Sequence, residues 1–235
     1  MLNIKRLFLV FLSFSVFLAV SAVNAQKYNQ FDVNKQRTGV WKKYYKNKKI
    51  RYTGQFKSGK EVGIFKFYNQ NSSQFPAAIK KFYPKSDSVS VQYFFLNGTL
   101  KSTGLFLGRE RAGQWLYYFP KGTVMSEEFY KNGKLSGNLK IFYKNGKITE
   151  DTSYKEGLLH GVSKKYADTG ILIEEINYIK GKENGEAKYY ELNGNLKERG
   201  FYKNGKRIGK WEFYLDGELI DAKKKKALEK YKKKG

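Results

Sequence analysis

The chain has 235 residues, with 46 Lys and Arg against 21 Asp and Glu for a net charge of +25, 17% aromatic residues, one His and no Cys. A cysteine-free chain has no disulfide framework, thiolate metal site, cysteine nucleophile or lipoprotein anchor, and the lone His160 leaves no histidine cluster for a metal or a proton relay. With 18 Phe, 19 Tyr and 3 Trp it carries far more rings than a solvated coil, so the sequence encodes a folded, strongly basic protein.

At the start of the chain, Lys5 and Arg6 precede an apolar run from Leu7 to Val20, followed by Val23-Asn24-Ala25. This order of basic, apolar and small residues reads as a secretory signal peptide over residues 1–25, cleaved after Ala25. The run falls short of the ~20 apolar residues that a bilayer span needs. The expected product is exported, to the periplasm, the outer surface or the medium. Residues 26–38 form a lead-in segment.

From residue 39 the sequence repeats. Units begin at Gly39, Gly63, Val89, Gly113, Gly137, Gly161, Gly185 and Gly209, spaced by 24 residues except for a two-residue insertion in the second unit. Counting the opening residue as position 0, position 5 is aromatic in all eight units: Tyr44, Tyr68, Phe94, Tyr118, Phe142, Tyr166, Tyr190 and Tyr214. Position 17 is aromatic in all seven complete units, from Phe56 to Tyr202.

Within a unit, two aromatic-rich stretches flank Asn97-Gly98, Asn145-Gly146 or Asn193-Gly194, which is the pattern of a β-hairpin. A two-residue turn there pairs positions that sum to 17. That register sets Trp41 opposite Gly54, so that a ring covers a bare backbone across the strands. It places positions 2, 4, 11 and 17 on a mainly apolar face A. Face B carries Lys42, Lys66, Lys140, Lys164 and Lys188 at position 3, beside the position 5 rings Tyr44, Tyr68, Phe142, Tyr166 and Tyr190.

The stretch Tyr52-Thr-Gly54-Gln-Phe56-Lys-Ser-Gly59-Lys-Glu-Val-Gly63 resembles the MORN repeat, whose core reads Tyr-x-Gly-x-Trp-x-x-Gly-Lys-x-x-Gly; the stretch from Gly200 to Tyr214 is similar. The unit length and the residues after the glycine are closer to the repeat variant of bacterial proteins labelled YwqK-family antitoxins. The resemblance covers residues 39–220, with departures at Val89 and in the stretch holding Pro76 and Pro84. It implies an all-β, elongated antiparallel meander in a single twisted sheet, acting in scaffolding, protein interaction or lipid contact. About 15 strands at ~4.8 Å spacing give a length of roughly 70 Å. An exported chain is poorly suited to the antitoxin role that the label carries.

Catalytic chemistry finds little footing. Glu127, Asp151 and Glu175 share position 14, but the register sets Asp151 opposite Lys140 and Glu175 opposite Lys164, as cross-strand ion pairs. His160 reads as a surface residue, the Asn-Gly pairs as turn residues, and the spaced glycines do not form a phosphate-cradling loop. No enzyme activity, cofactor, metal or small-molecule substrate is expected. Residues 221–235 carry eight Lys and read as a short basic helix or tail. The expected function is a non-enzymatic scaffold of the cell envelope that binds a protein partner through the face B residues, aided by Lys223 to Lys226. The alternative is an electrostatic binder of anionic lipid, polysaccharide or nucleic acid.

Overall fold

A computed structural model describes residues 27–72 and 74–221. The expected signal peptide and all but the first residue of the basic tail lie outside the described residues. The chain runs through β1 (Gln30–Phe31), β2 (Arg37–Tyr44), β3 (Ile50–Lys57), β4 (Lys60–Tyr68), β5 (Pro76–Phe82), β6 (Ser88–Phe94), β7 (Leu100–Leu107), β8 (Glu110–Tyr118) and β9 (Val124–Lys131). It continues through β10 (Lys134–Leu135), β11 (Gly137–Phe142), β12 (Ile148–Lys155), β13 (Leu158–Tyr166), β14 (Leu172–Ile179), β15 (Lys182–Tyr190), β16 (Leu196–Lys203), β17 (Lys206–Leu215) and β18 (Glu218–Ile220). Strands pair antiparallel with their sequence neighbours in one open sheet, except that β10 and β11 both pair with β9. The all-β meander is therefore as the sequence implies. The extra strands are β1, drawn from the lead-in segment, the β10/β11 split at Ser136, and the short β18.

Two kinds of turn alternate, and their assignment differs from the sequence reading. The two-residue turns link one unit to the next: Ser58-Gly59 has φ of 47° and 74°, and Asn132-Gly133 has 51° and 73°, both positive as a type I′ turn requires. Inside the units the Asn-Gly turn is one residue longer. Phe95 and Gly98 each close it with a 2.9 Å hydrogen bond, Phe95 N–H to the Thr99 carbonyl and Gly98 N–H to the Phe95 carbonyl. Gly98 sits at φ 83°. The Asn97 side chain accepts the Thr99 N–H at 3.1 Å, a local bond that suits a type I turn followed by a left-handed glycine.

The longer loop shifts the register. Positions 0 to 4 sum to 17 with their partners, from Gly39–Phe56 to Lys43–Tyr52, but Tyr44 pairs with Ile50 across a bulge. The same shift pairs Phe142 with Ile148 and Tyr166 with Leu172. Paired residues share a face, so the position 11 aliphatics lie with the position 5 rings on face B, not on face A.

A second bulge marks the junction between units. Pairing slips between Thr53 and Gln55, Thr103 and Leu105, Thr152 and Tyr154, Ile176 and Tyr178, and Arg199 and Phe201. The glycines opening the facing units, Gly63, Gly113, Gly161, Gly185 and Gly209, sit at φ of 63° to 111°. Where Val89 replaces the glycine, β5 and β6 pair with no slip. The bulge carries the position 2 side chain over the last strand of the preceding unit. A Cβ on Gly54, Gly104 or Gly200 would lie 2.2–2.3 Å from the ring of Phe65, Trp115 or Trp211 respectively. Trp41 pairs with Gly54 as the register predicts, but the ring covering Gly54 belongs to Phe65 of the following unit.

Where position 2 is small, the residue beneath it is larger: Ser163 meets Thr152 with an Oγ–Oγ1 distance of 2.9 Å, and Ala187 pairs with Ile176. Trp41 has no preceding unit, and β1 takes that place. Phe31 packs edge-on at 5.2 Å and the Trp41 Nε1–H reaches the Gln30 carbonyl at 3.2 Å. The buried side chains Trp41, Phe65, Val91, Trp115, Ser163 and Ala187 trace this row along face A. Face A is rich in rings over β2–β9, with Lys43, Lys80 and Glu128 paired among them, whereas farther on Glu150, Glu174 and Glu198 occupy position 13.

Gly104→Ala places a methyl group inside the Trp115 ring, and overpacking of this kind costs about 1–3 kcal/mol. Urea denaturation is expected to show that loss. A change below about 0.5 kcal/mol, the scale of an ordinary surface substitution, would contradict the ring-over-glycine packing.

Candidate interaction faces

All ten expected face B residues lie on one side of the sheet. Its central row is a single cross-strand ladder: Lys42, Thr53, Lys66, Ile79, Gln92, Thr103, Leu116, Glu127, Lys140, Asp151, Lys164, Glu175, Lys188, Arg199 and Glu212. Beside it run Tyr44, Tyr68, Phe142, Tyr166 and Tyr190, each paired with an aliphatic residue or with Pro76.

The lysines are not equivalent. From Glu127 to Lys188 the ladder alternates in sign before Arg199 follows Lys188 as a second cation, and Lys164 meets Glu175 at 3.1 Å as the register predicts. Lys188 turns to Glu186 at 2.9 Å, and Arg199 meets Glu212 at 2.6 Å. Lys140 lies opposite Asp151, but that carboxylate accepts the Asn138 amide at 3.2 Å. Glu175 and Glu186 hold protons on Lys164 and Lys188, raising both amines. The first half of the ladder has no acid, and Lys42 sits over the Tyr28 ring at 3.8 Å.

The wider charge follows the same division. Residues 27–126 carry 19 Lys and Arg against four Asp and Glu, a net of +15, while residues 127–221 carry 17 against 16, a net of +1. The basic character of the described chain belongs almost wholly to its first half.

Face A also carries arginines stacked on its three tryptophans. Arg37, Arg111 and Arg207 stand 5.0, 4.7 and 3.9 Å from the ring centres of Trp41, Trp115 and Trp211. The sequence signal is Arg-x-Gly-x-Trp, present three times. This face opens into a groove of about 330 Å³ whose lining includes Tyr93, Ser102, Arg111, Trp115 and Tyr117, with Ala77, Phe94 and Lys101 at its turn-side edge. Arg111 donates to the Tyr130 hydroxyl at 2.8 Å, and Tyr130 in turn donates to Glu128 at 2.6 Å. Burial, aided by the Glu128 charge, pushes the Tyr117 phenol up. His160 is half-buried beside Gly161. Among the described residues no group of three or more His, Cys, Asp or Glu converges as metal ligands do.

Five segments, residues 37–58, 111–132, 135–156, 159–180 and 183–204, match the MORN repeat variant. Each begins two residues before an opening glycine and ends at the first residue of an inter-unit turn. The three units without a match are the one with the insertion, the one opened by Val89 and the short last one. MORN repeats mediate protein or membrane interaction, and their all-β form is typically a non-enzymatic binding scaffold. The match is to the repeat and does not extend to the YwqK-family naming. No curated protein matches the chain.

Two outcomes test the electrostatics. Lys164→Ala is expected to cost less than about 1 kcal/mol by urea denaturation, because the pair with Glu175 is solvated. The Arg199 hydrogen bond, followed by that from Tyr214, holds the Glu212 carboxyl below the ordinary glutamate range. With the folded value depressed, this interaction favours the folded state above the unfolded pKa and fades as pH falls through the folded value. Carboxyl carbon titration by NMR should place Glu212 below the ordinary glutamate value, and Arg199→Gln should raise it part of the way back, the Tyr214 hydrogen bond remaining.

Proposed function

Starting from a chain that carries MORN repeats of the variant type, we propose a non-enzymatic scaffold of the cell envelope that binds a protein partner along face B. The observation that carries this reading is the single-layer sheet. Every substantial contact joins strands that are neighbours in it, so no second layer packs on either face over the described length. A sheet of this kind presents a long surface, with Tyr44, Tyr68, Phe142, Tyr166 and Tyr190 beside a ladder of charge. Aromatic side chains flanked by polar groups suit protein interfaces, and contacts spread over several units distribute the binding energy. The signal-like segment of residues 1–25 supports export.

The charge supports a second reading. A net of +15 confined to residues 27–126 favours an anionic surface as partner for that half of the sheet. Ionic strength separates the two, because charge-driven association is screened by salt while a packed interface survives it.

The test is an affinity pull-down of the mature protein, beginning at Gln26, from its own envelope fraction at low and high salt. The scaffold reading expects one protein partner retained at high salt, weakened slightly and additively by Lys140→Ala, Tyr166→Ala and Tyr190→Ala. Removal of residues 221–235 is expected to leave part of the binding. Loss of every partner at high salt would instead assign the anionic surface, and loss of binding from a single substitution would refute a distributed face.

A further inference from the structure

We propose that the groove on face A binds an extended anionic polysaccharide, an occupant and a surface separate from the protein-binding face B. The argument begins with one cross-strand row. Phe67, Ala78, Tyr93, Ser102, Tyr117 and Ser126 are directly paired in that order, so rings and small residues alternate across β4–β9. Ala78, Ser102 and Ser126 are buried, and each is a notch between larger neighbours. Phe67, Tyr93 and Tyr117 therefore recur at two strand spacings, ~9.6 Å apart.

That period has a chemical counterpart. In an extended β-linked polysaccharide, alternate sugars present the same face, so the chain repeats over a disaccharide of similar length. The C–H face of a pyranose is apolar and stacks on an aromatic ring, while its hydroxyl and carboxylate groups project from the edge. The groove offers both halves of this recognition: the rings of Tyr93 and Tyr117, the Ser102 floor, and the cations Lys101 and Arg111. Arg111 is held in place by its stack on Trp115, its bond to Tyr130 and its pair with Glu128 at 3.9 Å, which takes up part of its charge and leaves Lys101 as the main cation toward a ligand.

Charge selects the anionic polymer. The groove lies in the half of the chain with net +15. Glu128, which accepts from Ser126 and stands 3.9 Å from Arg111, marks the β9 end of the site, and in later units Glu150, Glu174 and Glu198 occupy the notch positions themselves and would repel a carboxylate. A shallow row of flat rings with a polar floor favours a sugar polymer over a peptide, which is usually anchored by side chains in apolar pockets.

The test uses calorimetric titration of the protein from Gln26 onward with hyaluronan octasaccharide, which carries a carboxylate on every second β-linked sugar. Binding is expected, weaker with uncharged cello-octaose. Tyr93→Ala and Tyr117→Ala should each weaken it about tenfold, the scale of a lost stacking contact. Lys101→Ala, at an exposed site that does not threaten folding, should weaken it about threefold, the scale of one solvated charge contact. Lys155→Ala in the second half is the unaffected control. Absence of hyaluronan binding would overturn the proposal, as would unchanged affinity in Tyr117→Ala and Lys101→Ala. Equal affinity for poly-glutamate, lost through the same substitutions, would make the groove a peptide site and also overturn it. None of these results bears on Lys140, Tyr166 or Tyr190, so failure here is distinguishable from failure of the envelope scaffold.

Discussion

The left-handed glycine that opens a unit governs how this sheet packs. A side chain at that position would strain the backbone, because Cβ crowds the neighbouring carbonyl when φ is positive. With glycine there the strand bulges, and the residue two places on swings over the preceding unit. The buried row of face A is assembled from these events, one per junction. A single-layer sheet has no second layer to cover its apolar side, so each unit shields part of the one before it. The matched sizes of the paired residues, ring over glycine or serine over threonine, are the packing consequence. At β5–β6, where valine takes the place of glycine, the register runs straight and Val91 lies directly opposite Lys80.

Two rows of side chains give the faces their separate chemistry. On face B the ladder balances its charges from Glu127 onward, leaving the earlier lysines without acidic partners in that row. On face A rings dominate the first units, Glu128 enters at β9, and glutamates hold position 13 from Glu150 on. The first half of the sheet thus carries cations beside rings on both faces, while the second half is close to neutral. A molecule of one backbone period carries two functional ends because substitutions within the repeat change the side chains and leave the hydrogen-bonded frame in place.

Much of this architecture was legible in the sequence, for a physical reason. A 24-residue period constrains every unit at once, so the recurrence of Tyr or Phe at position 5 exposes the hairpin and the pairing of positions 0 to 4. The turn was harder to read, because Asn-Gly suits both a two-residue I′ turn and the longer type I loop. The longer loop is the one in which the Asn97 side chain bonds Thr99, and it sets Ile50 and Leu100 on the face opposite to the one that a two-residue turn implies. The source of the ring over Gly54 was hidden as well, since it depends on a bulge at Gly63 that strand alternation does not encode. The Arg-x-Gly-x-Trp stacks are spelled out in the sequence, but they occur in only three units, so the pattern common to all eight does not contain them.

The meander also fixes the direction in which the molecule resists force. Because consecutive strands lie side by side, the long dimension runs along the inter-strand hydrogen bonds. Tension between the two ends of the sheet loads those bonds a strand at a time, as in opening a zipper, and not many at once as in shearing two strands past one another. Each unit that peels away exchanges ~9.6 Å of sheet for up to ~80 Å of extended chain. A partner held at one end and an anchor at the other would be joined by a tether that lengthens stepwise under load and refolds from its remaining edge when released.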